Sequence, residues 1–195
     1  MSNHPITSEQ MYAIEENAHV LLGMKRVLMM ENAGHRTADF ILRQLDTGLK
    51  YKKIVAVCGS GNNGGDAFVA CRHLAAAGIA YIAVLLLAEP EEIRTPEAKI
   101  NWSIIRKMRS LKRITMENHY QSNLRRDIEL EIEGADIILD GLLGTGVKGL
   151  IREPYSSAID KINQSKAYIL AIDIPSGLDP NSGKPSNKEG TIFIQ

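Results

Sequence analysis

The chain reads as an α/β protein, a Rossmann-like three-layer α/β/α sandwich with a mainly parallel sheet and extra helices at its N-terminus. Three observations carry that reading. The candidate strands are short, as in "KIVAVCG" and "YIAVLLLA". They are apolar almost throughout rather than at alternate positions, as strands covered on both faces must be. Segments of helical period lie between them, which the crossovers of a parallel sheet require. With 195 residues, 44% of them hydrophobic, the chain suits one domain over 1–195 with a sizeable core and has little room for a second.

Taken in order, "SEQMYAIEENAHV" and "RVLMMENAGHRTADFILRQL" predict two helices, the second showing Val27, Met30, Ala33, Ala38, Ile41 and Leu45 near helical spacing and ending at Gly48. "KIVAVCG" is a strand, Gly65 to Ala77 a helix closed by Gly78, and "YIAVLLLA" a strand. Pro96 to Met108 predicts a helix, "KRITM" a strand, and Ser122 to Glu133 a charged helix read as a solvated face. "ADIILDGLLG", the helix Pro154 to Asn163, "AYILAIDI" and "GTIFI" complete the set. Between the last two, "DPNSGKPSNKEG" is a turn-rich loop. The chain stops soon after it, within the final strand, so the domain reads as cut short of its natural C-terminus.

Lys and Arg number 23, as do Asp and Glu, with no long block of either sign. That speaks against nucleic acid or an anionic membrane as partner and for a small molecule. Cys58 and Cys71 flank a glycine-rich turn without disulfide or zinc spacing, and both read as small buried hydrophobes rather than nucleophiles. The N-terminus lacks the basic and apolar regions of a leader, and the apolar run Ile79 to Ala88 is too short to span a bilayer, so a cytoplasmic protein is expected.

Ligands of an open parallel sheet bind beyond the carboxyl ends of its strands. Three strands here end in polar, glycine-containing loops: "CGSGNNGGDA", "LDGLLGTGVKG" and "AIDIPSGLD". In the first, Gly59, Gly61, Gly64 and Gly65 are expected to allow positive φ angles and close backbone approach, ahead of a helix whose free N–H groups suit a phosphate. A plain dinucleotide turn has no need of Asn62 and Asn63, and no Lys-Ser/Thr follows to make a P-loop. Asp66 either complements the helix dipole or meets a ligand. Asp140 ends an apolar strand and must find a cation or several donors. Lys148 either neutralises a phosphate or is a solvated surface lysine, and Asp173 and Ser176 repeat the strand-end arrangement. Amide, carboxylate and hydroxyl oxygens in one crevice suit an alkali or alkaline-earth cation rather than zinc.

These motifs, "GSGNNGGDA", "ILDGLLGTGVKG" with "REPY" after it, "AIDIPSGLD" and the upstream "LMMENAG", resemble in order and spacing those of the YjeF N-terminal domain family, the NAD(P)H-hydrate epimerases. The likeness runs from about Thr7 to Ile194. It implies an isomerase that interconverts the R and S epimers of hydrated NADH or NADPH, so that an ATP- or ADP-dependent dehydratase, often fused to this domain, can restore the cofactor. It implies substrate contacts from Asn62, Asn63, Gly64, Gly65 and Asp66, from the stretch Gly144, Thr145, Gly146, Val147, Lys148, Gly149 and Leu150 around a phosphate, and from Asp173 at the reacting end. It implies a potassium ion held by Asn63, Asp140 and Ser176, and it brings Asn32 toward the site. Ala67 departs from the family's usual glycine, a change a helix tolerates, and a further strand and helix of the family are missing.

Asp173 is the expected catalytic acid/base, because it ends a core strand beside the crevice. The alternative is a non-catalytic nucleotide-binding or scaffold module with the same pocket. An NAD-dependent oxidoreductase fits less well, since the following strand offers only Glu89 for the ribose, and no residue marks NADPH hydrate over NADH hydrate. The apolar N-terminal helices are material for a homodimer interface, with Met24, Met29 and Met30 read as core or dimer packing.

Overall fold

The computed structural model describes residues 5–44, 52–115, 121–146 and 150–185. Its sheet has five strands, β1 (Lys53–Cys58), β2 (Tyr81–Leu86), β3 (Leu111–Thr115), β4 (Ile137–Gly141) and β5 (Tyr168–Ala171), in the order β3-β2-β1-β4-β5. Every pairing is parallel. β1 is central because Ile54 to Cys58 are fully buried and meet apolar neighbours on both faces. The predicted last strand and the predicted stop at Gly48 lie outside the described residues.

The described residues form six α-helices: α1 (Ser8–Val20), α2 (Arg26–Gln44), α3 (Asn62–Ala76), α4 (Pro96–Ile105), α5 (Gln121–Glu133) and α6 (Tyr155–Gln164). Side-chain alternation along the strands sorts the core into two layers. Ile54, Ala56, Cys58, Val84 and Leu139 pack with Met30, Ile41, Phe68 and Trp102 on the α2–α3–α4 side. Val55, Val57, Leu85 and Ile138 pack with Ile132, Ile159 and Ile162 on the α5–α6 side. The expected three-layer sandwich is therefore the observed one. Phe68 is fully buried, with its ring centroid 5.3 Å from that of Trp102.

α1 begins with a capping box in which Thr7 and Gln10 satisfy each other's backbone N–H groups, yet none of its side chains is buried. α2 crosses α3 at close range because Gly34 has no side chain; a Cβ there would lie 2.4 Å from Val69 Cβ and 2.6 Å from the Asp66 carbonyl oxygen. α5 corrects its reading as a purely solvated face. Glu131 is buried, with Lys53 Nζ at 2.9 Å, Lys112 as a second cation and Tyr81 OH donating to it, a cluster at the amino edge of the sheet away from the loops that matter below. Among the described residues no helix is long and apolar enough to cross a membrane.

Candidate functional site

The first strand-end loop is shorter than its sequence predicts. α3 starts at Asn62, so Asn62, Asn63, Gly64, Gly65 and Asp66 form its opening turn instead of a loop before it. Gly61 stands at the N-cap without a side-chain bond, and the Gly65 N–H reaches the Gly61 carbonyl at 3.1 Å. The glycines are needed for proximity rather than for unusual φ angles, since none of Gly59, Gly61, Gly64 or Gly65 has positive φ. A Cβ on Gly64 would sit 2.0 Å from the Gly59 carbonyl oxygen, and one on Gly59 would sit 2.1 Å from that of Leu142. Backbone thus packs on backbone, and β1 feeds α3 directly beside the β4 loop.

That packing brings three strand ends into one buried polar network. Asp140, at the end of β4, is wholly buried; its Oδ1 accepts from the Leu142 N–H at 3.2 Å and the Ser176 hydroxyl at 2.5 Å, and its Oδ2 accepts from the Ser176 N–H at 2.8 Å. The Leu143 N–H donates to Ser176 Oγ at 2.9 Å, and the Leu143 carbonyl accepts from Asn63 Nδ2 at 3.0 Å. Burial raises the Asp140 carboxyl to about 6 even though these donors pull it down. No cation pairs with it among the described residues.

Asn63 carries the sharpest signal. Its Oδ1 is buried and accepts no hydrogen bond among the described residues, although its Nδ2 is satisfied. An orphaned amide oxygen costs about 1–3 kcal/mol unless something supplies positive charge. A buried carboxylate, a buried hydroxyl and an orphaned amide oxygen tied into one network are the hard-oxygen set an alkali cation takes, so the residues present fit a potassium ion.

Asp173 stands at the mouth of this network. It is the one non-glycine described residue with positive φ, at 67°, a conformation that persists where surroundings impose it. Its Oδ2 accepts from the Thr145 N–H at 3.4 Å, and a Cβ on Gly144 would fall 3.3 Å from that oxygen and 3.5 Å from Asn63 Cβ. Gly144 therefore fills the gap between Asp173 and Asn63. Burial raises the Asp173 carboxyl, partly offset by Thr145. Asp66 is pushed to about 8, chiefly by burial and then by the charges of Asp173 and Glu15. At neutral pH it keeps its proton.

Glu15 and Tyr12 come from α1 and were not expected from the sequence. The Tyr12 hydroxyl lies 3.0 Å from Thr145 Oγ1, which lays α1 across the second loop. Glu15, one turn further along, is raised by burial and by Asp173, with Arg26 opposing. The Tyr155 ring is the other addition, 3.3 Å from the position of a Gly59 Cβ; its only sequence signal was "REPY" beside the glycine loop. Asn32 is exposed on α2. Gly146 and Leu150 are exposed, while Val147, Lys148 and Gly149 lie outside the described residues. Cys58 and Cys71 are fully buried, and burial pushes the Cys71 thiol to about 12 and Cys58 well above its ordinary value, which removes both as nucleophiles.

Residues 27–193 match the family described as YjeF-related protein N-terminus. The chain is 44% identical over 182 residues to the NAD(P)H-hydrate epimerase of Nitrosopumilus maritimus, covering 93% of this chain and 79% of that protein. The epimerase of Cenarchaeum symbiosum is 45% identical, with 93% and 78% covered. A bifunctional NAD(P)H-hydrate repair enzyme, Nnr, of Pyrobaculum aerophilum is 39% identical over 94% of this chain, which spans 34% of it. In fold, the chain resembles the crystal structure of the yeast protein YNL200c with a TM-score of 0.80 at 23% identity, over 98% of this chain and 76% of that one.

Proposed function

Because the chain belongs to the family of YjeF-related protein N-termini, we propose that its strand-end site epimerises NAD(P)H hydrate, interconverting the R and S forms of the damaged cofactor. The observation that carries the reading is a pair of carboxyls at the mouth of a glycine-built loop: Asp66, which burial and then the charge of Asp173 keep protonated at neutral pH, and Asp173 itself. One carboxyl holding a proton beside one that can take it is an acid/base arrangement.

The chemistry follows from the substrate. The hydroxylated ring carbon lies next to the ring nitrogen, whose lone pair stabilises the cation left when the C–O bond breaks. Protonation of the hydroxyl lets it depart as water with the bonding electrons. Water then adds to the opposite face and returns its proton to the carboxylate. Asp66, which holds a proton at neutral pH, supplies it to the departing hydroxyl, and Asp173, as carboxylate, is the residue assigned to take the proton of the water that adds; return of that proton to Asp66 restores the pair. Asn62 and the N–H groups that open α3 ahead of Gly65 orient the phosphates, and Thr145 and the glycines around it close the other side. A potassium ion held by Asn63, Asp140 and Ser176 would supply fixed positive charge to the site.

Relatives named as bifunctional NAD(P)H-hydrate repair enzymes support functional coupling to a second repair activity, for which the family resemblance implies an ATP- or ADP-dependent dehydratase. Exposed Met11, Ile14, Leu21, Leu22 and Leu28 support a homodimer through α1 and α2, which sedimentation would test. The activity is tested by adding the purified R hydrate of NADPH or NADH to the protein, with potassium or choline as the cation, and separating the epimers by chromatography. Equilibration well above the uncatalysed rate upholds the reading, and a folded sample that leaves the R form at background rate sinks it.

A further inference from the structure

The connector after β2 carries a cation that the chemistry above does not use. The Leu87 N–H donates to the Cys58 carbonyl at 2.9 Å, which holds the end of β2 beside the glycine loop. From there a 3-10 turn, Pro90–Glu92, leads to buried Ile93, then Arg94, then Thr95, whose hydroxyl caps α4 by accepting from the Ala98 N–H at 3.4 Å. Arg94 is thus pinned on both sides. Its own N–H donates to the Ser60 carbonyl at 2.9 Å, and its guanidinium lies over Gly61, where a Cβ would meet Nη2 at 3.2 Å and Cζ at 3.9 Å. Any larger residue at 61 would press on that side chain.

The nearby charges explain why this cation is available. Glu89 and Glu92 form a reciprocal box, the Glu89 N–H donating to Glu92 Oε2 at 2.9 Å while the Glu89 side chain accepts the backbone N–H of Glu92. Glu91 is exposed on the same turn. Among the described residues no salt bridge joins Arg94 to a carboxylate, and its exposed side chain lies against Gly61. In a doubly wound sheet the end of β2 is where the adenosine ribose falls when the diphosphate rests on the β1 turn; an acid there takes a free 2′-hydroxyl and an arginine takes a 2′-phosphate. Here the acid in that place, Glu89, is turned to its own backbone, and the guanidinium faces the loop. Asp173, assigned to the reacting end, follows β5, and the buried Asp140 network ends β4, both on the opposite flank of β1, which leaves the β2 flank for the adenosine half.

We propose that Arg94 selects the phosphorylated substrate, its guanidinium taking the 2′-phosphate of the adenosine ribose in NADPH hydrate. Two N–H groups of a planar guanidinium match two phosphate oxygens, a geometry that lysine reproduces only as a point charge. The assignment rests on the epimerase reading for the identity of the substrate, so its test has two arms. In the first, kcat/KM is measured on NADPH hydrate and NADH hydrate for the unsubstituted chain, Arg94→Ala and Arg94→Lys. The ratio of the two values is expected to favour NADPH hydrate, to fall about tenfold or more in Arg94→Ala through KM, and to fall less in Arg94→Lys. A merely structural role would lower both substrates alike and leave the ratio in place, which overturns the proposal. In the second arm, calorimetry compares 2′,5′-ADP with 5′-AMP, which lacks only the 2′-phosphate. Tighter binding of 2′,5′-ADP that Arg94→Ala abolishes supports the assignment even if neither hydrate is turned over, an outcome that removes the epimerase reading alone. Turnover of both hydrates with an unmoved ratio and no preference for 2′,5′-ADP removes Arg94 alone.

Discussion

The Ser176 hydroxyl donates to Asp140 Oδ1 at 2.5 Å, with both residues fully buried and 36 positions apart in the chain. This bond joins the loop after β5 to the end of β4 and leaves the network with a carboxylate that no cation among the described residues neutralises. The bond is as much a ligand-site feature as a structural one, because a buried carboxylate held only by neutral donors is still short of positive charge.

Potassium chloride should therefore raise the midpoint of thermal unfolding relative to choline chloride at equal ionic strength. For a chain of this size each kcal/mol of binding corresponds to about 2–4 °C. Asn63→Ala and Asp140→Asn should each abolish the difference. An equal midpoint in both salts, or a potassium response that survives Asp140→Asn, would remove the cation site.

Asp66 predicts a particular dependence of stability on pH. Its carboxyl is raised from 3.8 to about 8, so between those values the folded chain holds a proton that the unfolded chain releases. The contribution is full below the ordinary value and is lost as pH rises through about 8. Asp66→Asn, which imitates the protonated form, should raise the unfolding midpoint more at high pH than at low pH. Parallel midpoint curves for the two proteins across that range would contradict the assignment.

Asp173→Asn should lower kcat for epimerisation by about a hundredfold or more, the usual scale for losing a positioned acid/base, with a smaller change in KM. Retention of full activity would transfer the role to Asp66 or Glu15, and the matching Asn and Gln substitutions would identify which.

Gly34→Ala should destabilise the fold by about 1–3 kcal/mol, as overpacking does. The added methyl would press on Val69 and on the Asp66 carbonyl, so activity should fall as well. Denaturant unfolding that gives an unchanged free energy would mean that α2 shifts without cost.

Tyr12→Phe removes only the hydroxyl that meets Thr145 Oγ1. If α1 forms one wall of the site, KM should rise while the unfolding midpoint stays nearly constant, because no side chain of α1 is buried. A change in midpoint with KM unaltered would make the contact structural.

The sequence by itself determined the order of strands and helices and the residue types at three strand ends. Apolar runs with and without helical period are local properties, and Asn63, Asp140, Asp173 and Ser176 stand at the points where those runs stop. It did not reveal that Asn62 to Asp66 belong to the helix, since two glycines there look like a loop until the contacts with Gly59 and Leu142 are seen. Only the tertiary structure decided that Asn63 Oδ1 has no donor among the described residues, that the charge of Asp173 reaches Asp66, and that Tyr12 meets a residue 133 positions away. Arg94 belongs with these, for nothing in "EEIRTPEA" shows that its guanidinium lies on Gly61. The physical reason is common to all of them. Periodicity records which face of an element is buried, whereas the pairing of polar groups depends on where distant backbone segments meet, and here close glycine packing sets that position.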